Sequence, residues 1–172
     1  ICGSAAREWS YAAEHDAPPM ARQFDLQALW LSFRQLIMDS FKETSISPRQ
    51  VAAVSATSQR QGIVLLDNVG NEIYAGPNTD LRAVFEGSAI DQNMRSRMYQ
   101  ATGHVPSFLF SAAKMRWFQI HRPDAYDRIA CVLTLADWLV WKLTGVLASE
   151  PTLAGEAGLL DIRRRDWCTS LL

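Results

Sequence analysis

Two periodicities alternate along this chain, and that alternation constrains its fold more than any other feature. Asp25 is an N-cap candidate, and behind it Leu26, Leu29, Trp30, Phe33, Leu36, Ile37 and Phe41 recur at helical spacing. Ser47, Pro48 and Gln50 supply an N-cap, a first-turn proline and a capping partner for one short turn, after which Val51 to Ser55 reads as a buried strand. Gly62 to Leu66 and Glu72 to Tyr74 are β-like runs separated by Asp67 to Asn71, a spacer of hairpin length. From Leu81 to Thr102 the pattern turns helical, with Gly103 placed to end the last turn. Ser111 can cap a helix to about His121, with Ala112, Met115, Trp117 and Phe118 facing the core and Pro123 breaking it. Cys131 to Thr134 reads as a strand, Leu135 to Leu143 as a short apolar helix ended by Gly145, and Gly158 to Ile162 as a strand before Asp166 caps another turn. The apolar, small-residue stretch Ile1 to Tyr11 is read as a first strand. Helix and strand in alternation predict an α/β domain.

With 172 residues and 48% of them hydrophobic, the chain can bury one ordinary core, and it is read as a single domain. Its formal net charge of −1, with both signs interspersed, argues against nucleic acid or an anionic membrane as partner. Cys2, Cys131 and Cys168 are far apart and form no C-x-x-C pair, so they are read as reduced packing residues. No apolar run approaches the roughly 20 residues needed to span a bilayer, and no secretory leader opens the chain, so a cytoplasmic location is expected. His15, His104 and His121 lack metal-ligand spacing. Trp9, Trp30, Trp117, Trp138, Trp141 and Trp167 are expected to fill the core, and Arg163 to Arg165 to form a solvated turn. Both ends read as cut, because Ile1 opens without an initiator Met and the chain stops where a further helix is expected to start.

The segment Ser55 to Gly62 is a strand end that breaks into a polar turn. In an open α/β sheet ligands collect at such strand ends, although a solvated turn built around Gly62 has the same sequence signature. The stretch Val54 to Asp67 resembles the FGGY carbohydrate kinases, in which a strand of this kind ends in a Q-M-H-G or N-Q-R-E turn. Asn78 to Ala83 is similar to that family's W-x-D-x-R-A, and Lys114 to Phe118 to its K-L-x-W-L helix. Ala136 to Leu139 with Leu143 to Gly145 resembles its D-x-L and L-T-G elements, and Gly158 to Ile162 with Arg165 to Trp167 its L-L-D-(x)-R-x-x-D-W stretch. Order and spacing agree over essentially the whole chain, and within the family the turn and N-x-D-x-R-A look most like those of the autoinducer-2 kinases. Asn78 stands where xylulose and glycerol kinases usually carry Trp. Leu109, Ile120, Glu150, Pro151 and Glu156 also depart from the family pattern, and these departures bear on substrate identity more than on fold.

The resemblance implies a ribonuclease H-like (actin-like ATPase) α/β fold, truncated at both ends, with residues 1–172 forming part of the N-terminal sugar-binding domain of a two-domain kinase. It implies an enzyme that phosphorylates a hydroxyl of a small sugar, polyol or autoinducer-like substrate with ATP and Mg2+. The family's phosphate-binding D-x-G-T turn would lie before Ile1, and its catalytic aspartate and adenosine pocket after Leu172. No catalytic residue or metal ligand is therefore expected in this chain, and neither cofactor is expected to bind it alone. A sugar needs convergent donors and acceptors. The resemblance assigns substrate contacts to Gln59, Arg60 and Gln61, and more weakly to Asn78. Asp80 either accepts from a sugar hydroxyl or holds Arg82 and caps the next helix. Homo-oligomerisation stays open. The alternative is a non-catalytic truncated paralogue or fragment acting as a binding module. A nuclease on the same fold class is less favoured, because Asp67 falls in a hairpin turn.

Overall fold

The computed structural model describes residues 2–14, 16–42 and 44–171. His15 therefore lies outside the described residues, as does Ile1 at the head of the expected first strand. A three-stranded antiparallel sheet, ordered β4-β3-β5, forms the centre: β3 is Ile63–Leu66, β4 is Glu72–Gly76 and β5 is Cys131–Thr134. The hairpin loop closes on Asp67, whose carboxylate accepts from the Val69 and Asn71 amides and from the Asn71 side chain. That local satisfaction is what an Asx turn supplies. All four β3 residues are buried, which follows from helices covering both faces of the sheet.

Strand side chains alternate between faces, so β3 divides its apolar residues between two cores. Val64 and Leu66 pack with Phe24, Leu26, Leu133, Leu135 and Trp138. This face is covered by α1 (Leu26–Lys42) and by α5 (Leu135–Thr144). Ile63 and Leu65 pack with Tyr74, Ala83, Ala113, Trp117 and Phe118, beneath α2 (Val84–Thr102) and α3 (Ser111–His121). Each buried Val, Leu, Ile or Phe among them contributes roughly 1.5–3 kcal/mol of hydrophobic stabilisation.

The helix ends follow their local signals. Asp25 accepts from the Ala28 amide at the start of α1, and Ser47 with Gln50 forms the expected capping box on a single 3-10 turn, Pro48–Gln50. Thr134 and Asp137 form another box at the start of α5. Gly103 and Gly145 end α2 and α5 at φ 74° and 73°, a left-handed region that costs glycine little. A short α4 (Pro123–Tyr126) begins at the proline expected only to break α3. The chain then runs through α6 (Pro151–Gly155) to a small hairpin of β6 (Leu160–Asp161) and β7 (Asp166–Trp167).

Several expectations are corrected. Residues 2–11 form no strand: the first ladder joins β1 (Ala12–Ala13) to β2 (Arg22–Gln23). The arm before it instead lies along α1, with Arg7 3.5 Å from Asp39, while Trp9 and Tyr11 pack on Phe24. Residues 51–55 are exposed and unpaired, with Val51 43% and Val54 68% accessible, because no described strand offers them a ladder. Asp166 opens β7 and not a helix. Ser111 lies inside α3, whose N-cap is Phe110, and its hydroxyl donates to the Ala157 carbonyl at 3.0 Å. The buried side of α3 is Ala113, Lys114, Trp117 and Phe118, while Ala112 and Met115 are only half-buried. Trp9 and Trp167 are exposed. Cys2 is exposed as well, and all three cysteines are free thiols.

Candidate functional site

The polar turn before β3 is held from three directions. From below, the Ser58 hydroxyl accepts from the Ala136 amide at 3.1 Å, tying the turn to the start of α5. From the β4 side, the Gln59 side-chain carbonyl accepts from the Asn78 amide at 3.1 Å. Beneath the turn, the Lys114 ammonium donates to the Gln61 carbonyl at 3.1 Å and to the Pro77 carbonyl at 3.0 Å. Lys114 is fully buried, and it pins the turn bearing Gln61 against the segment bearing Asn78. Burial holds its pKa down at about 8, with Asp80 pulling the other way and Arg82 reinforcing the fall.

Gln61 adopts φ 64°, uncommon for a non-glycine residue and typical of a conformation that its surroundings hold in place. Gly62 follows because a Cβ there would sit 2.7 Å from the Leu135 side chain. The outcome is a turn that projects Arg60 outward and Gln61 along the rim of a cleft of about 630 Å3, which Gly62, Ser111, Thr134, Ser149 and Glu156 also line. Glu156 meets both residues. Its carboxylate is 3.5 Å from the Arg60 guanidinium and accepts from the Gln61 amide at 3.3 Å.

Of the residues singled out from sequence, Gln59, Arg60, Gln61 and Asn78 come together at this turn. Asp80 does not join them on the surface. It is completely buried, and it receives the Arg82 guanidinium at 2.7 Å, the Arg22 amide at 2.9 Å and the Tyr74 hydroxyl. Arg82 is closed in further by Glu14 at 2.8 Å and by the faces of Tyr74 and Trp117. Asp80 thus holds Arg82, but α2, whose N-cap is Ala83, begins without a side-chain cap. Lys114 and Glu156 were missed as parts of the site. Lys114 had a signal, since a charged residue sits within the apolar run of α3, whereas Glu156 is brought to Arg60 across 96 residues of sequence.

Among the described residues no three His, Cys, Asp or Glu side chains gather into a group that could hold a metal ion, and no helix is long and apolar enough to cross a membrane.

Comparison with known proteins bears on both fold and family. Residues 3–172 match the model of the N-terminal domain of the FGGY family of carbohydrate kinases. The autoinducer-2 kinase of Salmonella typhimurium (strain LT2) is 37% identical over 169 residues, and that of Escherichia coli (strain K12) 36% over 169 residues. Each alignment covers 96% of this chain but 32% of the relative, so the chain spans about a third of the length of these curated relatives. Among solved structures, a xylulose kinase from Rhodospirillum rubrum superposes with a TM-score of 0.87 at 22% identity, covering 97% of this chain and 35% of the other. A glycerol kinase from Plasmodium falciparum superposes with a TM-score of 0.79 at 20% identity, covering 90% of this chain and 32% of the other. The architecture is the actin-like ATPase (ribonuclease H-like) α/β fold expected from the sequence, and the chain belongs to the FGGY family of carbohydrate kinases.

Proposed function

We propose that the intact protein carrying this chain is an ATP-dependent carbohydrate kinase that phosphorylates a hydroxyl of a small sugar, polyol or autoinducer-like compound, and that residues 1–172 supply the sugar-contacting part of its N-terminal domain. The observation that carries this reading is the convergence of Gln59, Arg60, Gln61 and Asn78 on one turn braced by Lys114. Such a turn offers fixed donors and acceptors to a polyhydroxyl ligand, and a missing hydroxyl would leave them unpaired. The Gln59 side-chain nitrogen is itself a buried donor without a partner among the described residues, which supports a polar occupant beside it. Asp80 belongs to the scaffold beneath the turn.

In this reading ATP supplies the phosphoryl group and Mg2+ offsets its charge. With no metal-ligating group among the described residues, no residue of this chain is assigned to either. Membership of a family of carbohydrate kinases, together with relatives named as autoinducer-2 kinases, favours an enzyme over a binding module.

Steady-state phosphorylation of a panel of sugars and polyols by the intact protein tests the reading. Arg60→Ala should lower kcat/KM by about one to two decades, the loss expected for a charged hydrogen bond, and the neutral Gln61→Ala by up to about one decade, while melting stays unchanged. Unchanged kinetics with a lowered Tm would make the turn structural.

A further inference from the structure

Glu156 sits at the end of α6, in a loop fixed on both sides. Glu150 caps the start of α6 through the Thr152 and Leu153 amides, and Ser111 holds the Ala157 carbonyl at 3.0 Å. Its side chain is 17% exposed, whereas that of Arg60 is 73% exposed. A mostly buried acid thus stands against a solvent-facing cation at the mouth of the cleft, and shares its other oxygen with the Gln61 side-chain amide. Of the other charges, Lys114 is committed to two backbone carbonyls and Asp80 to Arg82, while Arg165 and Asp166 line the same cleft as a pair of opposite sign.

Resting on the kinase reading above, we infer that Glu156 is a specificity-determining residue, which balances Arg60 so that the site selects an uncharged polyhydroxyl substrate and rejects a carboxylated sugar. A neutral sugar can donate a hydroxyl to the Glu156 carboxylate and accept from Arg60 and Gln61. An aldonate brings a second negative charge against a carboxylate that is mostly withdrawn from water, where like charges repel with little screening.

The test compares an alditol with the aldonate of the same carbon number, each as phosphoryl acceptor for the intact protein, and reads the ratio of kcat/KM for the aldonate to that for the alditol. Glu156→Gln keeps size and an accepting oxygen but removes the charge, and should raise that ratio about three- to fivefold, the upper range for an ion pair with one exposed partner. Arg60→Gln leaves Glu156 unbalanced and should move the ratio the opposite way. Should Glu156→Gln fail to fold, the wild type still decides, because an aldonate phosphorylated as well as the alditol overturns the inference outright. A merely structural Glu156 would depress both substrates equally, and a ratio unmoved in a protein that does phosphorylate either compound overturns the inference while leaving the kinase reading intact. Failure of the wild type to phosphorylate any sugar or polyol overturns both.

Discussion

Lys114 shows what a single residue contributes beneath the turn. It is a buried cation satisfied by two carbonyls, and its pKa is about 8 folded against 10.5 for an ordinary lysine. Between those values the unfolded chain holds a proton that the folded chain has released, so stability rises with pH across that window. The gain approaches ~1.4 kcal/mol per pH unit at its steepest. Tyr74 acts in the opposite direction at the upper end. Burial keeps its phenol protonated well above the usual value of 10.0, so above that pH the unfolded chain ionises first and stability falls. Chemical denaturation should therefore show wild-type stability rising by about 1–2 kcal/mol from pH 8 to pH 10. Lys114→Met should abolish that rise, and an undiminished rise in the variant would remove Lys114 from this role. The sequence pattern put Trp117 and Phe118 inside, as the structure does, but chose Ala112 and Met115 over Ala113 and Lys114, because a hydrophobic periodicity counts a lysine as outward-facing and cannot see the carbonyls awaiting it.

At the scale of elements, what could be read from sequence was what is decided locally. The Ser47–Gln50 box, the Asp67 hairpin turn and the αL glycines at Gly103 and Gly145 all depend on neighbouring residues. The failures at Val51–Ser55 and Asp166 have one cause: a strand exists only where another chain segment offers a ladder, which local propensity does not encode. The turn was read from its polar residues and its substrate contacts from the family resemblance, while its clamp by Lys114 and Glu156 needed the folded chain.

Helix α2 carries a similarly non-local constraint at Gly87, where a Cβ would lie 2.4 Å from the Phe108 Cα and 2.5 Å from its nitrogen. Propensity alone favours alanine there by about 1 kcal/mol. The clash is with backbone, however, and Gly87→Ala should destabilise by about 1–3 kcal/mol as α2 is pushed off the following loop. Gly155 ends α6 with nothing within 4 Å of its would-be Cβ, so Gly155→Ala should be neutral or stabilising by up to ~1 kcal/mol. Thermal melts of the two variants side by side provide the check. Equal stability would mean that the α2 contact does not constrain the fold.

Across the whole molecule, the central sheet is well covered while the surrounding arm is not. Trp9, Met20, Leu31, Met38, Val51 and Val54 are all substantially exposed, and exposed residues 52–55 join no ladder among the described residues. Apolar side chains beside unsatisfied backbone favour association with another chain. The 172-residue chain expressed alone should therefore self-associate as its concentration is raised. It should also fail to bind MgATP, because the chain spans only 32% of the length of its kinase relatives. Light scattering over a concentration series examines the first expectation, and calorimetric titration with MgATP the second. Growth of scattering mass without heat from the nucleotide is the expected pair of results. A monomer that persists at every concentration would mean that the exposed arm folds over its own apolar surface in solution. Micromolar MgATP binding by that monomer would require a nucleotide site within these residues, and the assignment of this chain to sugar contact alone would have to be abandoned.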